Sequence, residues 1–220
     1  MIRLHHCHET RSMRVLWLLG EMGVPFECQV WPFDRTLRSA DYMRRSPAGR
    51  VPSIEDGGLT LFESGAIVEY LCERYPESGL GRLTGDSERW QWLMWIHYAE
   101  TVGQHLANLT QHHIFLREDW MRSPTFMRLE KLRLDKTLGA LESTLDTRDW
   151  LLASGFSAAD CCVGYCVYVA SFFTDLHRFP NVKAYRGRMF DRTAFRASIP
   201  GPGDERLYRK EHYPVPDVSN

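Results

Sequence analysis

The chain has 220 residues, a length that fits two small domains sharing an interface better than it fits one domain. An apolar fraction of 44%, a charged fraction of 25% and a net charge of −1 are those of an ordinary globular protein, so nothing points to nucleic acid or to a membrane as a partner. No window reaches the roughly 18 apolar residues of a membrane span, and the N-terminus lacks the apolar core of a secretory signal. The six cysteines form no CxxC pair, which predicts reduced thiols in a cytoplasmic protein.

The first third of the chain alternates between strand and helix periods. Ile2 and Leu4 predict a short strand, and a half-buried strand is predicted over Phe26–Val30, where apolar and polar residues alternate. Strand, helix and strand in so few residues predict a parallel right-handed crossover. The helix between them is predicted to end at Gly23, and its apolar face consists of Val15, Leu18, Leu19 and Met22.

A more specific pattern of turns and short elements occupies residues 46–75. An initial turn at Ser46–Gly49 leads into a predicted strand that carries the Val51–Pro52 bond, and an Asp56–Gly57 hairpin turn leads into a second strand. A helix is then predicted to open at Glu63–Ser64. Together with the preceding crossover, these elements predict a βαβ–ββα unit.

Two features of this pattern suit a small anionic peptide as a ligand. A proline belongs at a strand edge or a bulge, so we expect the backbone of the neighbouring Val51 to be available for pairing with the backbone of a bound peptide. Ser64 at a helix start combines a hydroxyl with free backbone N–H groups and the positive end of the helix dipole, which favours a carboxylate.

The rest of the chain has helical periods after one marked linker. Residues 76–86 are rich in glycine and predict the linker. A long amphipathic helix is predicted over Trp90–His113 and a buried leucine stripe over Leu134–Leu145. A further helix is predicted to start with Ser157 as its N-cap and Asp160 at N3. From Pro200 onward, the polar tail contains several prolines and glycines.

The motifs of residues 49–71 together resemble the glutathione-binding signature of cytosolic glutathione S-transferases. Those motifs are Gly49-Arg50-Val51-Pro52, Leu61-Phe62-Glu63-Ser64, Ala66-Ile67 and Tyr70-Leu71, and the run Arg11–Leu19 is similar to the first helix of several bacterial and fungal members. The resemblance implies an α/β plus all-α fold, with an N-terminal thioredoxin-like domain at residues 1–78 and a C-terminal helical bundle domain with its tail at residues 86–220. It also implies a homodimer.

The resemblance implies an enzyme that uses glutathione as a co-substrate and needs no metal. Such a glutathione S-transferase activates the glutathione thiol for attack on a small hydrophobic electrophile, a detoxification reaction of the cytoplasm. The binding roles that it implies place the cysteinyl backbone of glutathione at Val51 beside Pro52. They place the γ-glutamyl carboxylate at Ser64, the γ-glutamyl ammonium at Glu63 and the glycine carboxylate at Arg50.

The activating group is expected in the loop between the first strand and the first helix. A free thiol has a pKa of about 8.5, and a hydroxyl that donates to the sulfur favours its thiolate. The resemblance places Thr10 at the position of the active residue, with Ser12 as the second candidate. A competing interpretation makes Thr10 a loop residue that caps the helix. Other possible donors remain open, namely backbone N–H groups, His5, His8 and Cys7.

A pocket for the second substrate is implied along the long helix that begins at Trp90, between the two domains. Its polar candidates are His97, Tyr98, Thr101 and His105. Although His112 and His113 are adjacent, neighbouring side chains on a helix point apart, so this pair does not predict a metal site.

Two other functions remain open. A glutathione-dependent thiol–disulfide or peroxide reductase would depend on Cys7, because a cysteine in this loop can form a mixed disulfide with glutathione. The third hypothesis is a glutathione-transferase-like binding module without catalysis. It remains because the chain has no serine, cysteine or tyrosine at the positions where classes of the family have their active residue.

Overall fold

The computed structural model describes residues 1–216, which form two compact units. The first unit contains Met1–Trp92 and Phe190–Leu207, and the second contains Leu93–Met189 and the described residues from Tyr208 onward. Among residues 1–216, no helix combines the length and apolar character needed to cross a membrane.

Strands and helices alternate in the first part of the chain, and helices follow in the rest. This order confirms the α/β plus all-α fold class predicted from the sequence. In chain order the elements are β1 (Ile2–His6), α1 (Ser12–Met22), β2 (Phe26–Val30), α2 (Ala40–Met43), β3 (Ser53–Asp56), β4 (Leu59–Phe62), α3 (Ser64–Arg74), α4 (Arg89–Thr110), α5 (Pro124–Thr144), α6 (Ala158–Ala170), α7 (Pro180–Asp191) and α8 (Thr193–Ser198).

The four strands form one sheet in the order β2–β1–β3–β4. β1 and β2 are parallel and are connected through α1, which confirms the predicted parallel connection, whereas its right hand stays a prediction. β3 is antiparallel to both of its neighbours. The arrangement is thioredoxin-like, and side chains of its central strands, such as Leu4 and Ile54, are fully buried.

β2 lies at an edge of the sheet and is more exposed than its sequence pattern predicts. Phe26 is partly buried, but Cys28 and Val30 are exposed, and Val30 retains 49% of its accessible surface. The predicted strand is confirmed, whereas its predicted half-buried face is wrong. The reason is that the helices of this unit pack mainly on the other strands of the sheet and leave the faces of β2 at the edge largely uncovered.

Two boundaries around the hairpin also differ from the prediction. β3 begins at Ser53, so the Val51–Pro52 pair, whose peptide bond is cis, precedes the strand instead of lying within it. The two-residue hairpin loop is Gly57–Gly58 and not Asp56–Gly57, because Asp56 pairs with Leu59. Both loop glycines have positive φ values, 56° and 90°, which residues with a side chain rarely adopt.

α1 supplies much of the core of the first unit and is covered by α8. It ends as predicted at Gly23, where φ is 65°. The rings of Trp17 and Phe195 lie 4.7 Å apart, and Glu21 accepts hydrogen bonds from Arg192 at 2.6 and 2.7 Å. A segment near the C-terminus is therefore part of the fold that begins at the N-terminus.

The second unit is built around α6, every residue of which is buried. The predicted helix start is confirmed, with Ser157 and Asp160 forming a capping box. Asp160 accepts hydrogen bonds from the N–H groups of Leu151 and Ser157, at 3.1 and 2.8 Å, and from the Tyr185 hydroxyl at 3.1 Å. One buried carboxyl group thus connects the loop before α6 to α7. The predicted leucine stripe on α5 is buried as well, through Leu134, Leu138 and Leu141.

Candidate functional site

The strand register brings three separate stretches of chain to one end of the sheet. His5 in β1 pairs with Ser53 in β3, and Ser53 pairs with Phe62 in β4. The loop after β1, the Val51–Pro52 segment before β3 and the Glu63–Ser64 start of α3 therefore leave the sheet at the same end. These stretches contain the candidate catalytic residues and most of the candidate glutathione-binding residues.

The hydroxyls of Thr10 and Ser12 share one network of hydrogen bonds in the loop before α1. Thr10 Oγ1 donates to the Cys7 carbonyl at 2.9 Å and lies 2.8 Å from Ser12 Oγ. Ser12 Oγ accepts from the Cys7 N–H at 3.1 Å, and it lies 3.0 Å from the Cys7 carbonyl and 2.7 Å from His6 Nδ1. The structure thus brings both candidate hydroxyls together at the N-terminus of α1.

These two hydroxyls differ in their access to a ligand. Thr10 retains 8% of its accessible surface, whereas Ser12 retains none. Ser12 Oγ has four polar neighbours within 3.1 Å, more than the three hydrogen bonds that one hydroxyl makes. Both residues are buried, Thr10 less completely than Ser12, and the catalytic role of both stays a prediction.

Sequence reasoning missed two buried residues that contact the candidates, His6 and Arg14. Burial lowers the pKa of the His6 imidazole to about 3, so the ring beside Ser12 is neutral. Arg14 is buried in α1, and its guanidinium donates to Ser64 Oγ at 3.0 Å. A cation within the apolar run of α1 is the sequence signal that marks Arg14, and no comparable signal marks His6.

Ser64 lies where a carboxylate is electrostatically favoured. It is the first residue of α3, and Glu63 precedes it as the N-cap with φ 75° and ψ 112°. The Ser64 side chain is almost fully buried next to the Arg14 guanidinium, whereas the Glu63 side chain is exposed. A hydroxyl, the N–H groups of a first helical turn and a buried guanidinium together form an electropositive site.

The Val51–Pro52 segment is held against the loop that contains Cys7. Val51 packs on a small buried cluster that includes Cys7 and Tyr42. The Tyr42 hydroxyl donates to the carbonyl of Arg50 at 2.8 Å, which fixes the backbone just before Val51. Pro52 is buried, and the Arg50 side chain is exposed. Side chains from the loop after β1 and from α2 thus hold this segment in place.

Cys7 is a poor candidate for redox chemistry. Its side chain is buried, and this burial raises the pKa of the thiol to about 12, with further contributions from the charges of Asp34 and Glu205. Such a thiol is almost entirely protonated at neutral pH, whereas the thiolate is the form that reacts. The geometry of the loop therefore counts against the reductase hypothesis.

The other two histidines of the loop region contact acidic residues. His5 Nδ1 accepts a hydrogen bond from Trp31 Nε1 at 3.0 Å, so the proton of its neutral ring lies on Nε2 and faces Glu55 Oε2 at 2.9 Å. His5 consequently has no donor left for a thiol. His8 Nε2 lies 3.9 Å from Asp204, which brings the segment after α8 next to the loop.

The four candidates for the second-substrate pocket all lie on α4, and two of them are engaged with α5. The Tyr98 hydroxyl donates to a backbone carbonyl of α5 at 3.1 Å, and His105 Nδ1 lies 2.9 Å from Glu130 Oε2. His97 and Thr101 are exposed. The pocket stays a prediction. Within residues 1–216, no three or more potential metal ligands cluster together.

Acid should destabilise the fold through His6. In the unfolded chain His6 has the ordinary histidine pKa of about 6.5, whereas in the native state its pKa is about 3. His6 therefore takes up a proton in the unfolded chain at a pH where it stays neutral in the native protein. Since the unfolded state then binds more protons, His6 lowers the free energy of unfolding by about 1.4 kcal/mol for each pH unit below 6.5. Urea unfolding at pH 7, 6 and 5 measures this slope. A His6→Asn variant should show a shallower slope, and an identical slope would contradict the assignment.

Sequence and fold both match known proteins. Residues 4–79 match a family model described as the glutathione S-transferase N-terminal domain. Glutathione S-transferase 4 of Zea mays is 30% identical over 181 residues, which cover 78% of this chain and 79% of that protein. A stringent starvation protein A homolog of Haemophilus ducreyi is 26% identical over 214 residues, which cover 89% and 88%.

A solved structure gives the same result for the fold. The glutathione transferase URE2P6 of Phanerochaete chrysosporium, crystallised in complex with oxidized glutathione, matches with a TM-score of 0.81 and 21% identity, covering 90% of this chain and 94% of that chain. The maize protein, by contrast, is 30% identical over most of both chains, and this similarity shows the family as well as the fold. The chain belongs to the glutathione S-transferase family.

Proposed function

We propose that this protein is a glutathione transferase that activates the glutathione thiol for attack on a small hydrophobic electrophile, as in detoxification. The observation that carries the proposal is the meeting of two features at one end of the sheet. One is the hydroxyl pair of Thr10 and Ser12, and the other is the Ser64 hydroxyl bonded to the Arg14 guanidinium. The first suits a thiolate and the second a carboxylate, and glutathione has both groups.

In this proposal the γ-glutamyl end of glutathione binds at the N-terminus of α3. The Ser64 hydroxyl and the backbone N–H groups of the first turn donate to its carboxylate, and the charge on Arg14 strengthens the attraction. The exposed Glu63 carboxylate accepts from its ammonium group. The backbone of Val51, next to Pro52, pairs with the cysteinyl backbone in the manner of strand addition. The exposed side chain of Arg50 binds the glycine carboxylate.

The cysteinyl sulfur then faces the loop after β1. Thr10 donates a hydrogen bond to the sulfur, and the positive N-terminal end of α1 favours its negative charge, so the thiol loses its proton to solvent at a lower pH than it does when free. The thiolate lone pair forms a C–S bond with the electrophilic carbon. The displaced electron pair leaves with the leaving group, or moves onto the neighbouring atom when the electrophile is a conjugated alkene.

Removing the Ser64 hydroxyl should weaken glutathione binding. We expect Ser64→Ala to raise the dissociation constant about tenfold, because a hydrogen bond to a charged group contributes about 1.5 kcal/mol. Calorimetric titration with glutathione measures the change. Ser143→Ala is a matched control, since the Ser143 hydroxyl donates only to a carbonyl of its own helix, that of Gly139. An unchanged dissociation constant for Ser64→Ala would remove Ser64 from the site.

The proposal is tested by titrating the thiolate ultraviolet absorbance of glutathione bound to the pure protein. The expected result is a thiol pKa well below the value of about 8.5 for a free thiol. Saturable binding with an unshifted thiol would instead favour a binding module. The absence of binding would overturn the assignments of Val51, Glu63 and Ser64.

The non-catalytic binding module is the second candidate because one observation favours it. The Thr10 hydroxyl already donates within the protein, to the Cys7 carbonyl, and Ser12 is fully buried. Under this alternative the loop hydroxyls only stabilise the loop.

The reductase alternative has less support, because Cys7 is buried. Replacing this cysteine in Cys7→Ser should leave transferase turnover unchanged, and a glutathione-dependent disulfide or peroxide reduction that the variant loses would revive the redox hypothesis.

We also propose that the protein is a cytoplasmic homodimer, as its family resemblance implies. Support comes from the large apolar side chains of Trp90 and Met94, four residues apart on α4, which retain 78% and 50% of their accessible surface. Light scattering of the eluted protein should give about twice the chain mass of 25.6 kDa. A particle with the mass of one chain would contradict the proposal.

A further inference from the structure

His6 lies at the buried end of the hydroxyl network, and its two ring nitrogens have different surroundings. Nδ1 lies 2.7 Å from Ser12 Oγ, whereas Nε2 is buried and has no hydrogen-bond partner among the described residues. The ring is neutral, because burial lowers its pKa to about 3. One nitrogen therefore carries a proton, and the other carries a lone pair.

The unpartnered Nε2 decides which nitrogen carries the proton. A proton on Nε2 would be a buried donor without an acceptor, and such groups are rare because each one costs free energy. A proton on Nδ1 is used in a hydrogen bond to Ser12 Oγ. His6 is therefore the Nδ1–H tautomer. Its neighbour His5 is the opposite tautomer, because Trp31 donates to His5 Nδ1.

The tautomer of His6 sets the direction of the hydrogen bonds as far as Thr10. With the proton on Nδ1, Ser12 Oγ accepts hydrogen bonds from His6 and from the Cys7 N–H. The Ser12 hydroxyl then donates its own proton to the Cys7 carbonyl, at 3.0 Å. The Thr10 hydroxyl can then turn to a ligand without leaving that carbonyl unsatisfied. With the proton on Nε2, Ser12 would donate to His6, and Thr10 would be the only hydroxyl left for the Cys7 carbonyl.

We propose that His6 is a positioning residue. By donating to Ser12 Oγ it keeps the Ser12 hydroxyl bonded to the Cys7 carbonyl, which frees the Thr10 hydroxyl to donate to the glutathione thiolate. The proposal rests on the proposed function, since it takes Thr10 as the donor to the sulfur. His6 is fully buried, so it reaches a ligand through its neighbours, and among the described residues its side-chain hydrogen bond is the one to Ser12 Oγ. It would therefore affect the ionisation of the bound thiol without affecting the binding of the peptide.

Two polar substitutions of His6 test this role. The amide nitrogen of His6→Asn stands near the place of Nδ1 and can donate to Ser12 Oγ. In His6→Gln the amide extends toward the place of Nε2, so Ser12 loses that donor. We expect His6→Asn to keep the wild-type pKa of bound glutathione. We expect His6→Gln to raise that pKa by about one unit and to lower kcat about tenfold. The KM for glutathione and the affinity for S-methylglutathione should stay unchanged in both variants.

The outcomes separate this inference from the proposed function. A lowered thiol pKa that is the same in the wild type and both variants overturns the role of His6 and leaves the proposed function standing. An unshifted thiol in the wild-type protein overturns both. If the variants do not fold, nitrogen-15 spectra of histidine-labelled wild-type protein decide, because a proton on His6 Nδ1 supports the role and a proton on Nε2 overturns it.

Discussion

A Thr10→Val variant should bind glutathione as tightly as the wild-type protein and turn it over about 100-fold more slowly. Valine keeps the branched shape of threonine but removes the hydroxyl, and the loss of one donor to an anion in an active site costs about this factor. The pKa of the bound thiol should rise toward the value of about 8.5 for a free thiol. Steady-state kinetics and thiolate absorbance measure the two effects separately.

Two further variants identify the hydroxyl responsible. Thr10→Ser restores a hydroxyl at the same position and should recover most of the activity. Ser12→Ala tests the second candidate, whose side chain has no accessible surface. A Thr10→Val protein that keeps the wild-type rate would show that the hydroxyl is not the donor, and the backbone N–H groups before α1 would then be the next groups to examine.

Loss of the buried carboxyl group in Asp160→Ala should lower the free energy of unfolding by about 4 kcal/mol. Asp160 accepts from two backbone N–H groups and from the hydroxyl of Tyr185, and both side chains are fully buried. Each buried donor left without an acceptor costs about 1–3 kcal/mol. The alanine variant leaves three such donors, so a total loss of about 4 kcal/mol is expected. Urea unfolding followed by circular dichroism measures the loss.

Asp160→Asn is the matched control for this prediction. It keeps the size of the side chain and one carbonyl acceptor, so we expect it to lose roughly half as much stability as the alanine variant. Glutathione binding should persist in both variants at low temperature, because Asp160 belongs to the second unit, whereas Ser64 and Val51 belong to the first. A loss below about 1 kcal/mol in Asp160→Ala would mean that water or a rearranged loop satisfies the donors.

Much of the fold could be predicted from local patterns. The period of the apolar residues located α1 and the strands on either side of it, and Gly23 marked the end of the helix. The Ser157–Asp160 pair marked the start of α6. The exposed face of β2 and the Gly57–Gly58 loop could not be predicted in the same way, since both depend on which strands pair and in what register. The domain limits of 1–78 and 86–220 stay a prediction.

The candidate site shows the same division between local and distant contacts. The motifs around Val51 and Glu63–Ser64 lie in one stretch of sequence, and the resemblance that they carry led to the family. The contact between Arg14 and Ser64 joins residues 50 positions apart, and the link from His6 to Ser12 depends on how the loop folds back on β1. Such contacts become visible only when the strands have placed the loops.

The return of residues 190–207 to the first unit has a consequence for the synthesis of the protein. Trp17 and Glu21 leave the ribosome early, but Arg192, the partner of Glu21, is made 171 residues later than Glu21. At about 5 to 20 residues per second, this delay is about 10 to 30 s. During that time α8 is not available to cover α1, so the apolar ring of Trp17 lacks its contact with Phe195. A unit whose strands are among the first parts of the chain to be translated is thus among the last to be completed.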